Sequence, residues 1–87
     1  MSPALDHAAK ALDIVRRAIG EILGMPPEDV KPEQRLRADL DCDEVDLIET
    51  VYLIELEADI ELADMDLMEI QTVGRLIELT VLALETV

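Results

Sequence analysis

The stretch Asp39–Thr50, DLDCDEVDLIET, governs how the chain is read. Acidic residues at 39, 41 and 43 lead into a segment whose apolar positions recur at helical spacing. Asp43 suits an N-cap, and Asp46 three residues later makes a shortened capping box. A helix is therefore expected from Glu44 to about Ala58. Val45, Ile48, Val51, Tyr52 and Ile54 are expected inward, with Asp46, Glu49 and Glu57 as an acidic outer stripe. The same acids invite comparison with a calcium loop, which needs glycine at its sixth position and a bidentate glutamate at its twelfth. Counted from Asp39, those positions are Glu44 and Thr50, so no specific metal site is expected.

Working toward the N-terminus, Leu5, Ala8, Ala9, Leu12, Val15, Ile19, Ile22 and Leu23 recur at helical spacing, with Arg16, Arg17 and Glu21 off that face. This predicts a long first helix ending near Gly24, which Pro26-Pro27 cannot continue. Residues 24–42 read as a long connection pinned by Met25, Val30, Leu36 and Leu40. Toward the C-terminus, a short helix is expected around Asp64–Glu69. A last one runs from about Thr72, its N-cap, to Glu85, carrying Val73, Leu76, Ile77, Thr80, Val81 and Leu84. No alternating strand pattern or internal repeat occurs. The expected fold is an all-α four-helix bundle, three helices longer and one short, forming a single domain over residues 1–87.

Composition narrows the function. With 87 residues the chain can bury one core, and with one aromatic residue that core must be aliphatic. The formal charge of −14 opposes nucleic acid and anionic membranes and favours partners with basic patches. No run approaches the ~18 apolar residues of a membrane helix, and the N-terminus lacks a secretory pattern, so a cytoplasmic protein without membrane insertion is expected. Cys42 is the single cysteine and His7 the single histidine, which excludes an internal disulfide. With no nucleophile constellation, an enzyme is not expected. Cys42 reads as an unreactive loop residue, with direct acylation or an intermolecular disulfide as alternatives. His7 reads as a solvated residue of the first helix.

Residues 15–80 resemble an acyl carrier protein. VRRAIGEILGMPPEDVKPEQRLRADL, at 15–40, resembles that family's first helix and long loop. DLDCDEVDLIETVYLIELEADIEL, at 39–62, sits where the family has its DLGxDSLxxxEL signature and acidic second helix. MEIQTVGRLIEL, at 68–79, resembles the closing I-x-T-V and last helix. The register holds from Val15 to Thr80 without gaps. The resemblance implies a carrier in fatty-acid, polyketide or related lipid biosynthesis, in which the signature serine bears a 4′-phosphopantetheine arm.

Two positions depart from that pattern. Asp43 and Val45 match the residues that flank the family's serine, but Glu44 stands between them, and the only serine is Ser2. Asp41 replaces the usual glycine. A hydroxyl forms a stable phosphodiester with the arm, whereas a carboxylate would give a labile mixed anhydride. The expectation is a chain without the arm as written. Glu44 reads as a replacement after carrier function was lost, as an imitation of the modified residue's charge, or as an introduced substitution. The resemblance further implies that Asp43, Glu44, Val45, Asp46, Glu49, Tyr52 and Glu57 dock on basic patches of biosynthetic enzymes. The alternative is a non-carrier adaptor or structural subunit, self-associating through surplus leucines of the 44–58 and 72–85 helices: Leu47, Leu53 and Leu56 with Leu79 and Leu82.

Overall fold

Proline has no amide hydrogen and blocks a helix interior, so the Pro26-Pro27 pair bounds the first helix. In the computed structural model, which describes residues 3–62 and 66–86 with side chains from Asp6, that helix, α1, spans Pro3–Leu23. A short α2 follows at Leu36–Leu40, then α3 at Glu44–Ala58 and α4 at Val73–Glu85. Single 3-10 turns lie at Pro27–Asp29 and Leu67–Glu69. The fold is thus an all-α bundle of three long helices and shorter connecting ones. Among the described residues there is no strand, only an isolated antiparallel bridge between Arg35 and Thr72. At 21 residues and about 1.5 Å per residue, α1 is about 31 Å long and accounts for most of the molecule's 35 Å extent.

α1 packs against both α3 and α4. It contributes Ala11, Ile14, Val15, Ala18 and Ile19 to a core completed by Leu47, Val51 and Ile54 from α3 and Val73, Leu76 and Leu79 from α4. The connections add Val30, Leu36, Leu62 and Ile70. Each Val, Leu or Ile side chain among them contributes about 1.5–3 kcal/mol when fully buried, so the core needs no aromatic. Thr50 and Thr80 are also fully buried. Their hydroxyls donate to the carbonyls of Asp46 and Leu76, both at 2.8 Å, which removes the cost of an unpaired polar group.

Several expectations need correction. Within α3, Val51 and Ile54 are inward, but Val45, Ile48 and Tyr52 are exposed. α3 is apolar on two faces, and Leu47-Thr50-Val51-Ile54 fits helical periodicity as well as the chosen set; the polar Thr50 disguised it. Leu47 and Leu79 are core residues rather than surplus, whereas Leu56 and Leu82 are exposed. Ala8 and Ala9 are exposed, because the buried face of α1 is centred on Ala11, Val15 and Ala18. His7 is half-buried, with Nδ1 enclosed and unpartnered among the described residues. The connection over 24–42 contains two helical pieces. The helix expected at Asp64–Glu69 is a turn at Leu67–Glu69, and Asp64 and Met65 lie outside the described residues.

The long connection is laced to its neighbours through the backbone. Leu36 N–H donates to Gln71 O at 2.9 Å, Val73 N–H to Gln34 O at 3.0 Å and Gly74 N–H to Pro32 O at 2.8 Å. Arg16 Nε donates to Val30 O at 2.9 Å and ties the same connection to α1. Close approach requires Gly20 as well: Met25 N–H donates to Gly20 O at 3.0 Å, and a Cβ on Gly20 would lie 2.7 Å from Met25 O. Helix propensity alone would make Gly20→Ala stabilising by about 1 kcal/mol. The backbone clash reverses that sign, so urea unfolding of Gly20→Ala is expected to show a loss of about 1–3 kcal/mol.

Candidate functional site

The start of α3 is built by two devices. Asp41 takes the left-handed conformation, φ 55° and ψ 35°, and closes α2 by donating its N–H to Leu36 O. Cys42 N–H donates to the same carbonyl at 2.9 Å. Asp43 then caps α3: its Oδ1 accepts from Asp46 N–H at 2.8 Å, while Asp43 N–H donates to Asp46 Oδ2 at 3.3 Å. This is the reciprocal capping box expected from the sequence. It engages one carboxylate oxygen of each aspartate and leaves both charges in place. Glu44 is the first residue of α3, exposed, and negative charge there is favourable because the helix's free N–H groups point toward it.

Beside Glu44 lies a cavity of about 440 Å³. Its walls are mainly apolar: Leu36, Cys42, Leu47, Leu67, Met68 and Ile70. Arg35, Arg37, Asp43 and Glu44 supply charge around it, with Gln71 and Thr72. Arg35 is committed, since its N–H donates to Asp39 Oδ2 at 2.7 Å and its guanidinium sits 3.4 Å from that carboxylate. These bonds, the backbone one foremost, hold the Asp39 carboxyl below its usual range. Thr72 is the expected N-cap of α4 and accepts from Arg75 N–H at 3.0 Å. Arg37 and Glu44 form no ion pair among the described residues.

To solvent, α3 presents Val45 at 61%, Ile48 at 48%, Tyr52 at 59% and Leu56 at 61% exposure. Their spacing places them on one side of the helix, opposite the buried Leu47, Val51 and Ile54. Glu49 stands exposed and without an ion-pair partner among the described residues. Glu57 is different: its Oε1 accepts from Arg17 at 2.8 Å, and Arg17 also holds Asp13 at 3.0 Å. Of the expected docking acids, only Glu44 and Glu49 thus point to solvent uncommitted. Leu56 extends the apolar stripe beyond the expected residues; its surplus character was legible, its face was not.

Cys42 is buried, and its Sγ approaches Asp43 O at 3.8 Å. Burial first, then the charges of Asp46 and Asp43, push the thiol from 9.0 up to about 11. The helix start does not offset them, which supports the inert reading. This rise lowers the thiolate fraction near pH 8 roughly a hundredfold, so iodoacetamide should label Cys42 roughly that much more slowly in the folded chain than in urea. Because the folded thiol keeps its proton longer than the unfolded one, stability should fall as pH rises from about 9 to about 11, and less so in Cys42→Ala. At Asp41, glycine adopts the left-handed conformation without the Cβ penalty. Asp41→Gly should therefore gain about 0.5–1 kcal/mol in urea unfolding.

Known proteins match this arrangement. The family model described as the phosphopantetheine attachment site covers residues 13–80, which span α2, α3 and the cavity. The chain is 38% identical over 66 residues to an acyl carrier protein of Saccharopolyspora erythraea, an overlap of 76% of this chain and 70% of that protein. Acyl carrier proteins are carriers and not enzymes, in keeping with the absence of a nucleophile constellation in the sequence. The helical architecture, the capped acidic α3 and these matches together place the chain in the acyl-carrier, phosphopantetheine-attachment family.

Proposed function

We propose that the chain serves lipid or polyketide biosynthesis as an acyl-carrier-like protein that docks on partner enzymes through α3 but takes no arm at Glu44. The observation that carries this reading is α3 itself. A helix that buries one apolar face and leaves a second exposed needs something to cover the second. The covering surface is best matched by an apolar groove with basic rims, because acids flank the stripe and the net charge is −14. A second copy would bring its own −14 against the same acids, which disfavours self-association.

The residues at the start of α3 do not fit a 4′-phosphopantetheine linkage. Glu44 offers a carboxylate on the exposed first turn, where a stable phosphodiester needs a hydroxyl. Among the residues lining the cavity, Thr72 carries a hydroxyl, and that hydroxyl is engaged in capping α4. Ser2 lies outside the described residues. Glu44 does supply a permanent negative charge where the family's modified serine would carry a phosphate, at the end of the helix that favours one.

Intact mass after incubation with coenzyme A and a broad-specificity phosphopantetheinyl transferase tests both parts of the reading. The chain itself should gain no arm, and Glu44→Ser should gain one. Adding Glu49→Lys to Glu44→Ser should slow loading by up to about fivefold at low salt, the range of one exposed ion pair, and less at high salt. An arm on the unaltered chain would refute the role given to Glu44. A Glu44→Ser variant that stays unloaded would refute docking through this face.

A further inference from the structure

Of the acids on α3 that are bonded within the chain, Glu57 differs from the others in what its bond holds. Asp46 and Glu55 accept from the backbone N–H groups of Asp43 and Leu62, and releasing either would leave a main-chain donor without its partner. Glu57 accepts from a side chain instead. Its Oε1 takes Arg17 Nη1 at 2.8 Å, from α3 across to α1. Arg17 has a second carboxylate on its own helix, since Nε and Nη2 both lie 3.0 Å from Asp13 Oδ2. The two carboxylates thus occupy different nitrogens, and the Asp13 pair survives the loss of Glu57. All three side chains are exposed, so the contact with Glu57 is of the weak, salt-screened kind. α1 and α3 stay packed through the buried core they share whether the pair is made or not.

Glu57 directly follows Leu56 of the exposed apolar stripe and stands about two turns beyond Glu49. We propose that Arg17 is a displaceable latch on Glu57: it occupies this acid in the free chain, and a basic side chain on the rim of a docking partner takes Glu57 over while Arg17 remains on Asp13. The latch rests on the docking proposed for α3 and adds its regulation. One ion pair replaces another of the same kind, so the partner's gain from Glu57 is reduced by the pair it displaces. Arg17 thereby weakens docking at the C-terminal end of α3 and leaves Glu44 and Glu49 untouched. A partner with a basic group at that end displaces the latch, and one without it docks on Glu44 and Glu49 alone.

The test is the KM for the Glu44→Ser chain in loading from coenzyme A by the same phosphopantetheinyl transferase, with further substitutions added. Adding Arg17→Gln should lower KM by up to about fivefold at low salt, the range of one exposed ion pair, with kcat unchanged and a smaller gain at high salt. Adding Glu57→Gln should raise KM. With Glu57→Gln present, Arg17→Gln should have no further effect, which separates release of Glu57 from a general gain of negative charge and from the freeing of Asp13. Lys10→Gln removes the same charge from an exposed position of α1 that has no ion pair among the described residues, and should leave KM unchanged. Equal effects of Arg17→Gln with and without Glu57 would overturn the latch. An unchanged or higher KM for Arg17→Gln, while Glu49→Lys still slows loading, would overturn the latch and leave docking through α3 standing. A Glu44→Ser chain that stays unloaded would remove docking through α3 and the latch with it.

Discussion

Three main-chain hydrogen bonds hold residues 32–36 against residues 71–74, the approach to α4 and its start, and the arrangement of the other elements follows from them. A connection as long as the one between α1 and α3 carries many backbone groups that need partners once they leave water. Here Pro32 O, Gln34 O and Leu36 N–H find theirs on Gly74, Val73 and Gln71. Gly74 permits the approach, since a Cβ there would lie 3.0 Å from Pro32 O. With the connection fixed, Leu36 drops into the core and the start of α2 lines the cavity together with the Leu67–Glu69 turn. The cavity is the space left between α2, the start of α3 and that turn. Loosening the lacing would open the cavity and free the left-handed Asp41 corner that aims α3.

The same dependence explains which parts of the fold were legible in the sequence. α3 could be bounded at both ends because its signals are local: Asp43 and Asp46 sit three residues apart, and a side chain needs no distant partner to cap a helix. Thr72 and the Pro26-Pro27 pair are equally local. α2 escaped notice because LRADL offers too few residues for periodicity, and its existence rests on backbone bonds to residues 71–74. The phase of α3 escaped for a different reason. Its apolar residues surround the helix, so the choice of inward face is made by α1 and not by the pattern on α3. The cavity could not be foreseen at all, since its walls come from three separated stretches, residues 35–38, 42–47 and 67–72.

Charge was legible as a total and illegible as a distribution. Twenty-one acids suggest an acidic surface, yet several spend their charge inside the fold. Glu55 accepts from Leu62 N–H at 2.7 Å and secures the segment after α3. Glu57 bridges α3 to α1 through Arg17, and Asp39 fastens the start of α2. An acid already bonded to its own chain can offer a partner only what remains after that bond is weakened or shared. In the docking proposed for α3, recognition therefore concentrates on fewer charges than a count along the helix would give, and the exposed Val45, Ile48, Tyr52 and Leu56 assume a larger share.

Glu44 is where these constraints meet. It is the first residue of α3, a border of the cavity and a neighbour of the exposed stripe. A serine at that position would be neutral and would leave the helix start free to attract an anion brought by something else. A glutamate answers that attraction from within the chain, and does so permanently. One side chain thereby couples the stability of the helix to the charge presented at the proposed docking face. A substitution at Glu44 changes both together, whereas Glu49→Lys alters the face alone, so comparing the two separates what Glu44 does for α3 from what the face does for a partner.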